Sequence, residues 1–129
     1  AVSDSPYGPW KRFDEPLLTT KPGTFYSYLI SNPSPVIEED GSVTILFKGR
    51  AYRENGKYSD MALGIAHAPN IYGPYTVLNG GQPIFQVDGQ GEAEDPFLWK
   101  DKRGYHVIFK DHVAKYTGER GGGALAHIG

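Results

Sequence analysis

The feature that most constrains this 129-residue chain is that it repeats itself. Tyr7-Gly8-Pro9-Trp10 recurs as Tyr72-Gly73-Pro74-Tyr75, and each copy leads to a Pro followed by two apolar residues, Pro16-Leu17-Leu18 and Pro83-Ile84-Phe85. Further on, Pro35-Val36-Ile37 answers Pro96-Phe97-Leu98, and Ile45-Leu46-Phe47-Lys48 answers Val107-Ile108-Phe109-Lys110. Gly64-Ile65-Ala66-His67-Ala68 answers Ala124-Leu125-Ala126-His127-Ile128. All matches keep one order, at offsets of about 60 to 67 residues. Such a series marks two copies of one supersecondary unit, residues 1–65 and 66–129, within one domain.

The elements of each unit read as short strands. Ser42 to Lys48 and Tyr105 to Lys110 are continuous apolar runs, as expected for strands buried on both faces. Glu38-Glu39-Asp40-Gly41 and Lys100-Asp101-Lys102-Arg103-Gly104 read as the hairpin turns that precede them. Gly (17) and Pro (10) are abundant enough to punctuate many strands. Lys57 to Pro69 holds a helix-like Met61-Ala62-Leu63, but Gly64 and the flanking turns favour a strand. About four strands per unit is the pattern of a β-propeller blade. The expectation is an all-β chain of two four-stranded blades. Propellers carry roughly four to eight, so the chain reads as a piece of a larger ring.

Composition excludes several classes of function. With no Cys, disulfides, thiolate metal sites and cysteine nucleophiles are ruled out. A net charge of -2 with both signs dispersed leaves no footprint for nucleic acid. No apolar run is long enough to span a membrane, so no membrane partner is expected. No signal peptide is visible, and the absence of an initiator Met suggests a processed or trimmed start.

The run Gly64-Ile65-Ala66-His67-Ala68 through Gly73-Pro74-Tyr75, followed by Glu94-Asp95-Pro96-Phe97-Leu98-Trp99, resembles the five-bladed β-propeller glycoside hydrolases. The nearest likeness is to glycoside hydrolase family 43 and its arabinanase, levansucrase and invertase relatives. In that group a small-residue strand precedes a Gly-Pro-aromatic turn, and the next blade opens with an acidic residue before Pro. The resemblance implies a parent ring of five blades, a poly- or oligosaccharide substrate, no organic cofactor, and an extracellular or periplasmic setting. It also implies that Asp95 is similar to the family's base or pKa-modulating Asp, and Glu94 to its acid Glu. Asn32 stands where Asp is frequent, so the first blade departs from the pattern.

Glycosidic cleavage needs two carboxyl groups, one protonated and one ionised. Glu94 and Asp95 are the catalytic candidates, although neighbours on a strand face opposite ways and cannot take both roles. Asn32, Lys110, Asp111 and His112 are the candidate sugar-binding residues, the last three following directly on a buried strand. The alternatives for these residues are turn caps and solvated loop ends. His67 and His127 match in the repeat and read as packing residues, as does the semi-buried His106. Asp88, Glu92, Glu94 and Asp95 form an acidic stretch open to Ca²⁺, though without EF-hand spacing. Gly121 to Ala126 fits a nucleotide-binding pattern formally, but no βαβ unit surrounds it. The Tyr residues and Trp10 and Trp99 suit pyranose faces, with packing favoured for the two Trp. The competing functions are a glycosidase and a non-catalytic carbohydrate-binding or structural module. Two uncovered lateral faces lead us to expect self-association or dependence on further blades.

Overall fold

The computed structural model describes residues 1–85 and 92–128. Its strands are β1 (Leu29–Ile37), β2 (Val43–Arg50), β3 (Ala62–Ala68), β4 (Thr76–Val77), β5 (Ala93–Asp101), β6 (Gly104–Asp111) and β7 (Gly122–Ile128). The described residues contain no α-helix, and the chain is all-β as expected. Two antiparallel sheets form, in the orders β1-β2-β3-β4 and β5-β6-β7. The second therefore has three strands rather than the expected four. In the first sheet the fourth strand, β4, follows the Gly73-Pro74 turn. The unit boundary at 65/66 falls inside β3, so the first sheet draws on both sequence units.

The ladders correct one alignment drawn from sequence. Pro35 pairs with Ile45, and Leu98 pairs with Val107. Since Ile45 and Val107 are counterparts, Pro35 answers Leu98, and Pro33 answers Pro96. Both first strands break their register at this point, between Ser31 and Ser34 and between Glu94 and Phe97. A β-bulge inserts an unpaired residue and turns a side chain out of the alternation. Here the bulged residues are Asn32 (φ 51°) and Asp95 (φ 50°), both in left-handed backbone.

Alternation along β2 splits its apolar residues between two cores. Leu46 faces the second sheet and, with Leu63, meets Ala93, Leu98, Val107, Phe109 and Ala124. Ile45 and Phe47 face the other way and are covered by Tyr26, Phe25 and Leu18 from the segment before β1. Gly64 is required by this second core: a Cβ there would lie 2.4 Å from Phe47 and 2.6 Å from Phe25. The expectation that both central strands are buried on both faces holds for β2 only. In β6, Val107 and Phe109 are buried against the first sheet, whereas Ile108 points away from it and is 48% exposed.

Polar contacts join the sheets at each end. Leu98 N–H donates to the buried Ser34 hydroxyl at 2.7 Å, linking the first strands of the two sheets. Where the hairpins turn, Glu38 accepts hydrogen bonds from Lys100 at 2.7 Å, Thr44 at 3.2 Å and the Tyr105 hydroxyl.

Candidate functional site

The sequence-predicted residues gather where β1 and β5 begin. The two bulges lie side by side, and the Asn32 amide donates to the Asp95 carboxylate. Left-handed backbone alone favours Asn and Asp among non-glycine residues. That preference accounts for the residue types, but not for the meeting of the two side chains across the sheets. Asp95 is exposed, so one carboxylate stands open to a ligand beside an amide.

Glu94 has a different environment. Its carboxylate is hydrogen-bonded to His112 Nε2 at 2.5 Å and to Lys48 Nζ at 3.1 Å, with Lys110 Nζ at 3.6 Å. Lys48 and Lys110 are counterparts in the repeat, so one cation arrives from each sheet. The His112 hydrogen bond lowers the Glu94 carboxyl to about 2, against the upward push of burial and with further help from Lys48. A carboxyl held this low favours the ionised form near neutral pH, the form of a base or nucleophile rather than of a proton donor. Glu94 gathers Lys48, Lys110 and His112 beside the residue that bears the second bulge.

Asp111 is not brought to this cluster. Its side chain is fully buried and accepts the backbone N–H groups of Lys115, Tyr116 and Thr117, together with the Thr117 hydroxyl. Burial opposes its ionisation, yet the hydrogen bonds from Thr117, Tyr116 and Lys115 together hold the carboxyl below its ordinary value. Asp111 is the anchor of a turn, and no acceptor capacity faces a sugar. Trp10, read as a packing residue, is largely exposed. Trp99 stacks on His106 with ring centroids 5.1 Å apart, and His106 bonds Asp101 at 3.0 Å.

Sequence reasoning missed Arg50 at this end, and it named the Tyr residues only as a type suited to sugar faces, without bringing three of them together. Arg50 closes β2 and pairs with Glu92 at 3.4 Å. Its guanidinium lies 5.2 Å from the centre of the Tyr58 ring. Tyr58 packs in turn on Tyr28 at 4.9 Å and Tyr52 at 5.5 Å, and all three rings are about half exposed. The signal available was their position: Tyr28 precedes β1, and Tyr52 and Tyr58 flank the loop after β2, which pairs with the start of β1.

Of the acidic stretch considered for Ca²⁺, Asp88 lies outside the described residues. Glu92 and Glu94 have cationic partners, and among the described residues no group of three or more His, Asp or Glu is placed to hold a metal ion. A cleft of about 960 Å³ lies at the opposite end, where the hairpins turn. It is lined by Glu38, Thr44, His67, Lys100 and Tyr105 among others. Of its carboxylates, Glu38 is held by Lys100 and Tyr105, which lower it below its ordinary value. That cluster ties the sheets together rather than presenting a free reactive group. Among the described residues no helix is long and apolar enough to cross a membrane. No protein-family model matches the chain, and no curated protein or solved structure matches it.

Proposed function

We propose that the two sheets are neighbouring blades of a glycoside-hydrolase-like β-propeller, and that the end where β1 and β5 begin binds a poly- or oligosaccharide. The observation that carries this reading is the meeting of Asn32 and Asp95 at matched bulges. A propeller converges the first strands of its blades on its axis, where a ligand sits. Asp95 is then the carboxylate that acts on the glycosidic bond, as base or as the group that tunes an acid. Asn32 binds sugar hydroxyls, and Lys110 and His112 line the approach through their contacts with Glu94. Tyr28, Tyr52 and Tyr58 offer half-exposed ring faces at the same end, suited to the apolar face of a sugar. Glu94 moves from the acid to an organising role, and Asp95 is the carboxylate on which turnover by this chain depends.

A second reading, a carbohydrate-binding module without turnover, is favoured by Asn32 in place of a carboxylate and by the ionised state of Glu94. Titration of the isotope-labelled chain with arabino- and fructo-oligosaccharides separates the possibilities. The proposal expects amide shifts at Asn32, Asp95 and His112, lost in Asp95→Ala. Reducing-sugar release that disappears in Asp95→Asn while binding remains identifies the hydrolase. Binding without release identifies the module. If no oligosaccharide at millimolar concentration perturbs these amides, the carbohydrate reading fails.

A further inference from the structure

The repeat supplies an internal standard for what each sheet face should meet. In the first sheet, ladder pairing aligns Ser34, Leu46 and Ile65 in one cross-strand row, and Val36, Thr44 and His67 in the next. The second sheet covers this face, and Leu46 is fully buried. The counterpart rows in the second sheet are Phe97, Ile108 and Leu125, then Trp99, His106 and His127. These point away from the first sheet. Phe97, Ile108 and Leu125 are 65%, 48% and 68% exposed. An apolar row of this kind marks an interaction surface.

The N-terminal segment shows what fits there. Val2 pairs with Lys11 in an isolated bridge, as His67 pairs with Thr76 between β3 and β4. Gly8 N–H donates to Ser5 O at 3.0 Å, as Gly73 N–H donates to Asn70 O at 3.1 Å. Tyr7 N–H donates to the Ser5 hydroxyl, as Tyr72 N–H donates to the Asn70 side chain. Residues 2–11 therefore have the conformation of residues 67–76, the start of the segment that finishes the first sheet and passes to the second. In that segment Leu78 N–H and Ile84 N–H donate to Ile65 O and Leu63 O, each at 2.9 Å. Ile84 and Phe85 then enter the core between the sheets. Their counterparts near the N-terminus are Phe13, Leu17 and Leu18, and the counterparts of Ile65 and Leu63 on β7 are Leu125 and Gly123.

We propose that a second copy of this chain docks head to tail on the second sheet. Its residues 11–17 lie along the free edge of β7, with Phe13 and Leu17 donating to Leu125 and Gly123. The face of its first sheet that carries Ile45 and Phe47, with Leu18, Phe25 and Tyr26 packed on it, covers the row of Phe97, Ile108 and Leu125. Lys11 exchanges its bridge to Val2 for one to His127. The contact is heterologous, joining two different surfaces, so one copy can both give and receive it. This arrangement is independent of any sugar chemistry.

Sedimentation velocity of the full chain from 1 to 100 µM tests it. The expected result is association that grows with concentration. Leu125→Glu on the receiving face and Leu17→Glu on the donating face should each weaken it at least tenfold, with circular dichroism and melting showing a folded monomer. Mixing the two variants should restore a dimer, because each keeps the surface the other lacks. If a charged variant unfolds, Leu125→Ser and Leu17→Ser read the same two surfaces. A chain that stays monomeric at 100 µM overturns the proposal. So does association that Leu17→Glu leaves intact, which would indicate two receiving faces meeting each other.

Discussion

Replacing Glu94 with Gln tests whether the cluster around it is an organising centre. The substitution keeps the shape and removes one negative charge from among Lys48, Lys110 and His112. A carboxyl held at about 2 rather than 4.5 favours the folded, ionised state. At about 1.4 kcal/mol per pH unit this is worth roughly 3 kcal/mol. Solvent on the open side of the cluster screens part of it, leaving an expected cost of about 1–2 kcal/mol at pH 7. Because the folded value lies below the unfolded one, the contribution is complete above about pH 5 and fades as the pH falls toward 2. Urea titrations of both proteins at pH 7 and pH 3 measure it. The gap at pH 3 should be less than half of that at pH 7. Equal stability at pH 7, or a gap unchanged at pH 3, would show that the carboxylate does not hold the cluster together.

Asp111→Ala leaves three backbone N–H groups and the Thr117 hydroxyl without their acceptor, and is expected to destabilise by about 3 kcal/mol in urea titration. A loss below about 1 kcal/mol would mean that water replaces the carboxylate freely. Gly64→Ala drives a methyl group into Phe47 and Phe25 and should cost about 1–3 kcal/mol, with Phe47→Leu in the same chain recovering part of it. If Gly64→Ala alone leaves the melting temperature unchanged, the two rings yield more easily than their packing indicates.

The strands were legible because hydrophobic pattern and turn chemistry agree. Gly41 and Gly104 both have positive φ at the hairpins where the sequence placed turns. The cross-strand rows were not legible, since a shift of two residues in the first strand preserves the alternation of faces. Pro35 and Pro96 looked equivalent for that reason, and only the bulges reveal that Pro33 is the true counterpart. At the site, sequence proximity misled for Asp111, whose neighbours Lys110 and His112 do reach Glu94. A backbone turn captured it, and nothing in Lys110-Asp111-His112 reveals that Lys115, Tyr116 and Thr117 will fold back onto its carboxylate. Glu94 was found, but its partners Lys48, Lys110 and His112 come from β2, β6 and the segment after β6, a convergence that depends on how the sheets stack.

The matched bulges carry one further step. Left-handed backbone at a non-glycine residue is uncommon, and it occurs at Asn32 and Asp95 in equivalent places. Most counterparts in the two units differ: Ser34 answers Phe97, Val36 answers Trp99, and Thr44 answers His106. Packing alone therefore tolerates wide change at these positions, because the faces they occupy meet different surroundings. The strained position persists where the side chains vary. Strain of this kind remains where the surrounding structure enforces it, and it is found preferentially at sites that bind or react. In the first unit the bulge presents an amide and in the second a carboxylate, so the same backbone device delivers two chemistries to one point. Glu94 sits one residue before the second bulge, whereas Ser31 sits before the first. Only the second unit thus supplies the carboxylate that gathers Lys48, Lys110 and His112, and the asymmetry that separates a hydrogen-bonding bulge from a charged one begins with that single pair of residues.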